Sequence, residues 1–222
     1  HVPYVLFRPD PSNIDDGVEK PLYVQAHNHP AAADRGELLR QGTAFPSPID
    51  SDDFTPARQH SMPGLVPLFP RTPADGGDYV QSMALPSYRT DEYHADPLER
   101  VSTDAFPAED LKRVDKQFLA MLSDATERLS DEPYSVTDAI HMNGFSSSSS
   151  FAARFAFLYP DRVTALTLGG NGSYPWPVAE HDGVTMPYPI GTSDYEQLTG
   201  REFDVEEWSD IHQYIYVGEN DE

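Results

Sequence analysis

The 222-residue chain contains no cysteine. Disulfide staples, thiolate metal sites and a cysteine nucleophile are thereby excluded. Lysine is nearly as scarce, with only Lys20, Lys112 and Lys116 present. No run approaches the roughly 20 apolar residues of a membrane-spanning helix. No basic, apolar signal segment opens the chain either. The sequence starts at His1 without a methionine, so a trimmed N-terminus is expected, which is compatible with a removed targeting segment.

What is present in excess is negative charge: 37 Asp and Glu against 15 Lys and Arg, a net −22. Such a surface repels phosphate backbones, which argues against a nucleic-acid partner. Acidity on this scale can signal disorder. Here an 11% aromatic content and regular aliphatic runs point instead to a packed core. Self-repulsion in such a chain weakens as the Debye length shrinks to about 3 Å near 1 M salt. The Asp-rich, lysine-poor composition resembles that of proteins from extremely halophilic archaea, which implies a high-salt environment.

The length suits a single domain over residues 1–222, with a stretch at 169–212 set apart as an excursion or small cap. Residues 3–7 (PYVLF) and 22–26 (LYVQA) read as strands joined by a hairpin-like connection. A short helix is expected at 36–41, an acidic loop around Asp50, Asp52 and Asp53, and a strand at 64–69. Residues 71–107, dense in Pro, Gly, Asp and Tyr, read as loop. The strongest periodic segment is 109–129, where Leu111, Val114, Phe118, Leu122, Ala125 and Leu129 form one apolar helical stripe. After it come a strand at 139–143, a small-residue turn at 144–150, a buried helix at 151–159 and a strand at 163–168. Helical pieces near 195–198 and 205–208 precede a last strand at 213–217. This alternation predicts an α/β fold, a mostly parallel sheet with helices on both faces.

The junction between strand 139–143 and helix 151–159 carries the chemistry. Gly144-Phe145-Ser146-Ser147-Ser148 has the pattern of a nucleophile elbow, a strained turn between strand and helix. Side chains two before and two after the central serine would collide, so Gly144 and Ser148 are small. Ser146 would then stand above the sheet at a helix N-terminus, where the Ser147 N–H and the helix dipole favour a developing oxyanion. Ser148 is the alternative centre of the motif, but it would start the turn two residues late after the strand. Ser146 is therefore the preferred nucleophile.

The stretch GFSSSSSFAARFAFLYPDRVTALTLGG resembles the α/β-hydrolase superfamily. VPLFPR, RVDKQFLAML and YIYVGEND are similar to an uncharacterised esterase-like branch of it. The resemblance runs from about Pro3 to Asp221 and implies a serine hydrolase that cleaves a small or polymeric carboxylic ester through an acyl-enzyme, without a cofactor. It implies that Asp221, in Gly218-x-x-Asp221, is the acid that orients a histidine. It also implies that the loop His27-Asn28-His29 gives the second oxyanion donor, His29 N–H first and Asn28 next. Asn28 stands where the superfamily usually has glycine, a departure from its pattern. The base is the larger departure. Superfamily order puts the histidine after the acid, and none follows Asp221. A histidine beyond Glu222 is expected, together with the final strand and helix; oligomerisation or an additional chain segment would otherwise complete the sheet. His181, outside the superfamily order, is the alternative to that histidine as base, and His212, just before a strand, reads as structural. The alternative from another class is a catalytically inactive hydrolase fold used for binding or assembly.

Weaker patterns stand beside these. His27-x-His29 could be read as a metal pair, but no HExxH or second ligand cluster accompanies it, so no metal is expected. The aspartates at 50, 52 and 53 lack the glycine and distal glutamate of a calcium loop. Tyr174, Trp176, Tyr188 and Tyr195 either line an acyl pocket or pack a small cap.

Overall fold

The computed structural model of the protein describes residues 2–14, 18–26, 28, 32, 34–43, 52–71, 83, 85, 102–130, 133–170 and 174–220. Six strands form the main sheet: β1 (Tyr4–Phe7), β2 (Lys20–Gln25), β3 (Gly64–Pro67), β4 (Val136–Phe145), β5 (Val163–Gly169) and, last in the chain, β8 (His212–Tyr216). Their spatial order is β1-β3-β2-β4-β5-β8. Only β1 runs antiparallel to its neighbour. The expected hairpin between the first two strands is therefore corrected: β3 lies between them. Burial gives the reason. Leu22 to Gln25 are buried and need a strand on each side, whereas β1 is half-buried throughout and suits an edge.

Helix α1 (Arg35–Thr43) and the short α2 (Thr55–Gln59) precede β3. The acidic stretch near residue 52 is less of a loop than expected: Asp52–Phe54 forms a 3₁₀ turn leading into α2. Phe54, fully buried, sits edge-on to both Phe7 and Tyr23 at 5.4 Å. The predicted long helix is interrupted, giving α3 (Ala108–Leu111) and α4 (Val114–Ser130). Every residue of its predicted apolar stripe is buried.

Helix α5 (Ser147–Leu158) starts four residues earlier than expected, because four of the serines form its first turn. The Ser149 hydroxyl bonds back to the Ser146 carbonyl at 2.6 Å, so this polar segment satisfies itself as helix. Phe118 on α4 meets Phe151 and Phe155 on α5 at 5.3 and 4.6 Å. These helices cover the sheet face bearing Leu22, Val24, Ile140, Met142, Leu166 and Leu168. Ala57 of α2 and the preceding Phe54 pack with Tyr23 and Val66 on the opposite face, as the period-2 alternation of strands requires.

After β5 come a two-stranded ribbon, β6 (Glu180–His181) with β7 (Val184–Thr185), and helices α6 (Tyr195–Thr199) and α7 (Val205–Ser209). The expected aromatic cluster divides here. Tyr188 and Tyr195 are buried, with hydroxyls donated to the carbonyls of Met83 and Leu158. Tyr174 lies against Trp208 at 5.7 Å, while Trp176 is half exposed. Packing accounts for all but Trp176. Among the described residues, no helix is long and apolar enough to cross a membrane.

Candidate active site

Strand register brings Phe145, Gly169 and Tyr216 side by side at the carboxyl ends of β4, β5 and β8. The chain leaving β2 reaches the same edge, since Ala26 N–H bonds the Asn143 carbonyl at 3.1 Å. In open α/β sheets, ligands bind in the crevice outside these carboxyl ends. Gly169 permits a close approach here. A Cβ on it would lie 2.4 Å from the Tyr216 ring and 2.6 Å from that of Phe145. The two rings, both substantially exposed, stand 6.4 Å apart beside the turn.

Ser146 occupies the tip of that turn. It has φ 59° and ψ −127°, a left-handed backbone rare for a residue with a side chain, and it is exposed. Its N–H bonds the Gly169 carbonyl at 2.8 Å, tying the turn to β5. Ser148 is placed differently. It is buried, and its hydroxyl accepts from Phe145 N–H and donates to the Phe145 carbonyl, both at 2.8 Å. Ser147 opens α5, so its N–H has no acceptor within the helix.

Gly144 explains how tightly the turn closes. A Cβ there would fall 2.3 Å from the Ser148 carbonyl oxygen and 2.7 Å from the Ser149 nitrogen, both backbone atoms that cannot swing aside. Gly144→Ala is expected to cost about 3 kcal/mol or more through overpacking. Urea unfolding measures it, and an unchanged midpoint would mean the turn is looser than these distances.

Asn28 is described and exposed, whereas His27, His29 and Asp221 lie outside the described residues. Expected for its backbone, Asn28 also contributes its side chain. Its Nδ2 donates to the Phe145 carbonyl at 2.5 Å, and its Oδ1 accepts from Ser148 N–H at 3.0 Å. This clasp escaped the sequence because it joins residues 117 and 120 positions apart. The only local signal was an asparagine in place of glycine. The path toward Asp221 leaves β8 through residues 217–220, from the same sheet edge as Ser146.

The four described histidines stand elsewhere. His181, in the ribbon, faces Asp182 at 3.6 Å and the Trp176 ring at 5.5 Å. His212 begins β8, in the row of Ala165 and His141, at the end of the strand away from Tyr216. His141 and His60 line a cavity of about 490 Å³ with Tyr23, Asp52, Asn143 and Thr167. Among the described residues, no histidine hydrogen-bonds the Ser146 hydroxyl. Nor does any group of three His, Asp or Glu side chains form a metal site among them.

Burial, reinforced by the charge of His212, pulls the His141 imidazole below its ordinary value of 6.5. The folded protein thus binds this proton less readily than the unfolded chain. The associated stability is complete above 6.5 and is lost as pH falls through the lower folded value. His141→Gln is expected to flatten this part of the urea-midpoint profile between about pH 7 and pH 5. An identical slope in the variant would assign the pH dependence to other groups.

No protein-family model matches the sequence, and no curated protein matches it either. Solved structures do. Poly(aspartic acid) hydrolase-1 from Sphingomonas sp. KT-1 aligns with a TM-score of 0.51 at 16% identity, over 98% of this chain and 66% of that one. A poly(3-hydroxybutyrate) depolymerase from Bordetella parapertussis gives 0.47 at 16% identity, over 97% and 59%. A thermostable esterase gives 0.43 at 16%, over 99% and 52%. The chain thus spans less than two thirds of the length of each of these proteins. Its mostly parallel sheet, with helices on both faces, is an α/β-hydrolase fold.

Proposed function

We propose that the protein is a serine hydrolase that cleaves carboxylic esters through an acyl-enzyme. The observation that carries this reading is Ser146, exposed at the tip of a strand-to-helix turn with a left-handed backbone, at the N-terminus of α5. Ser61, Met83 and Asp182 also have positive φ; at Ser146 the conformation coincides with exposure at a helix N-terminus on the carboxyl edge of the sheet, and such strain clusters at functional sites. The hydrolases and esterases among the structural neighbours agree with hydrolysis in general.

In this reading the Ser146 Oγ attacks the ester carbonyl carbon while a histidine takes its proton. The carbonyl oxygen becomes an oxyanion, held by Ser147 N–H and by an N–H of the loop after β2, from His29 or Asn28. Collapse of the tetrahedral intermediate breaks the bond to the alcohol oxygen, which leaves with the proton from the histidine. Water then repeats the sequence and frees the acid. Asp221 orients the histidine and stabilises its cation. The base is a histidine outside the described residues, because the described ones lie in the ribbon, at the end of α2 or down the strands. The half-exposed rings of Phe145 and Tyr216 offer an apolar shelf to the substrate beside Ser146. No cofactor takes part.

The second reading is an inactive hydrolase fold that binds or assembles, since a fold does not by itself establish catalysis. One experiment separates the two. The full-length protein is incubated with a fluorophosphonate probe and its intact mass is measured. A single adduct mapped to Ser146 supports the hydrolase; a folded protein that stays unmodified supports the inactive fold.

A further inference from the structure

We propose that Asn28 is a positioning residue for Ser146: its side chain caps helix α5 from another loop and leaves the serine hydroxyl free to react. This rests on the reading of Ser146 as nucleophile. A serine just before a helix normally turns its oxygen inward to accept the N–H of the second or third helical residue. A nucleophile held that way would point into its own helix, with a lone pair already engaged. Ser146 stands at this capping position, and its side chain makes no such bond.

Both donors that would recruit it are already taken. The N–H of Ser148, the second helical residue, goes to Asn28 Oδ1 at 3.0 Å. The N–H of Ser149, the third, goes to the Ser146 carbonyl at 3.0 Å. The other end of the Asn28 amide donates to the Phe145 carbonyl at 2.5 Å. One planar group therefore grips the peptide before Ser146 and the N–H two residues after it. The task needs a donor and an acceptor on one short side chain. It also needs a reach of one strand spacing, about 4.8 Å, from the loop after β2 to the end of β4. Asparagine meets both requirements, which gives a reason for its presence where the superfamily pattern has glycine. The N–H that Asn28 leaves unclaimed is that of Ser147, the donor assigned to the oxyanion.

Backbone amide exchange of Ser148, read by NMR, tests the cap without any chemistry at the site. In Ser146→Ala this amide should exchange as slowly as in the wild type, because Asn28 still holds it. In Asn28→Ala it should remain slow, because the freed N–H captures the Ser146 oxygen. In the double variant it should exchange at least about tenfold faster. Fluorophosphonate labelling gives the second readout: Asn28→Ala should react about tenfold more slowly at an unchanged half-saturating probe concentration. With a turned-over ester, kcat should fall and KM hold. Fast exchange in Ser146→Ala alone would overturn the proposal, and so would labelling of Asn28→Ala at the wild-type rate. A wild type that never labels sinks the hydrolase reading instead, and the exchange pattern then still decides whether Asn28 is the cap.

Discussion

Ser146→Ala in the full-length protein is expected to abolish fluorophosphonate labelling and to lower ester turnover by at least about a thousandfold. Removing the nucleophile of a serine hydrolase removes the whole covalent route, and what survives comes from binding and the oxyanion donors. The neighbouring serines should not rescue it. Ser148 is buried with its hydroxyl closed onto both polar atoms of the Phe145 backbone, and Ser149 is buried with its hydroxyl on the Ser146 carbonyl. Ser148→Ala is the paired control. It should keep the labelled residue while losing about 1–3 kcal/mol of stability, since the Phe145 N–H is left without that acceptor. Labelling that survives Ser146→Ala and disappears in Ser148→Ala would place the nucleophile two residues later.

Raising potassium chloride from about 0.1 M to 2 M is expected to lift the midpoint of thermal unfolding by on the order of 10 °C. The excess of 22 negative charges has few partners to offset it. Glu37 with Arg40, and Asp124 with Arg128, are exposed pairs on single helices and contribute little. Asp161 and Glu207 share one guanidinium, that of Arg201. Most of the remaining repulsion is long-range and yields to screening. Chloride is the appropriate salt, because sulfate strengthens apolar burial by exclusion and would raise the midpoint in any protein. A midpoint that stays flat or falls over this range would remove high-salt adaptation as the meaning of the composition.

The sequence revealed most clearly those features that depend on neighbours along the chain. The helical stripe from Leu111 to Leu129 follows from spacing alone, as do the apolar runs at the cores of β4, β5 and β8. The strand-to-helix junction at Gly144 and Ser146 is equally local. Three features were hidden for physical reasons. The place of β3 between β1 and β2 depends on which strand needs burial on two sides, and turn residues do not encode that. Helix α2 has only five residues, too few for a period to show, and is held by Phe54 rather than by its own propensity. The Asn28 clasp depends on a side chain crossing between loops that meet only when β2 and β4 pair.

The five consecutive serines look interchangeable, the kind of tract that tolerates gaining or losing a member. Their surroundings say otherwise. The first lies exposed in a left-handed turn, the second starts a helix, the third closes a ring with Phe145, and the fourth ties back to the first. Each added or deleted residue rotates a helix by about 100° relative to the strand that feeds it. A tract one serine longer or shorter would carry the same composition while setting the buried face of α5 against a different part of the sheet. The information in this segment is therefore its length. Substitution within the tract and alteration of its count are different kinds of mutation here, and the second reaches the core.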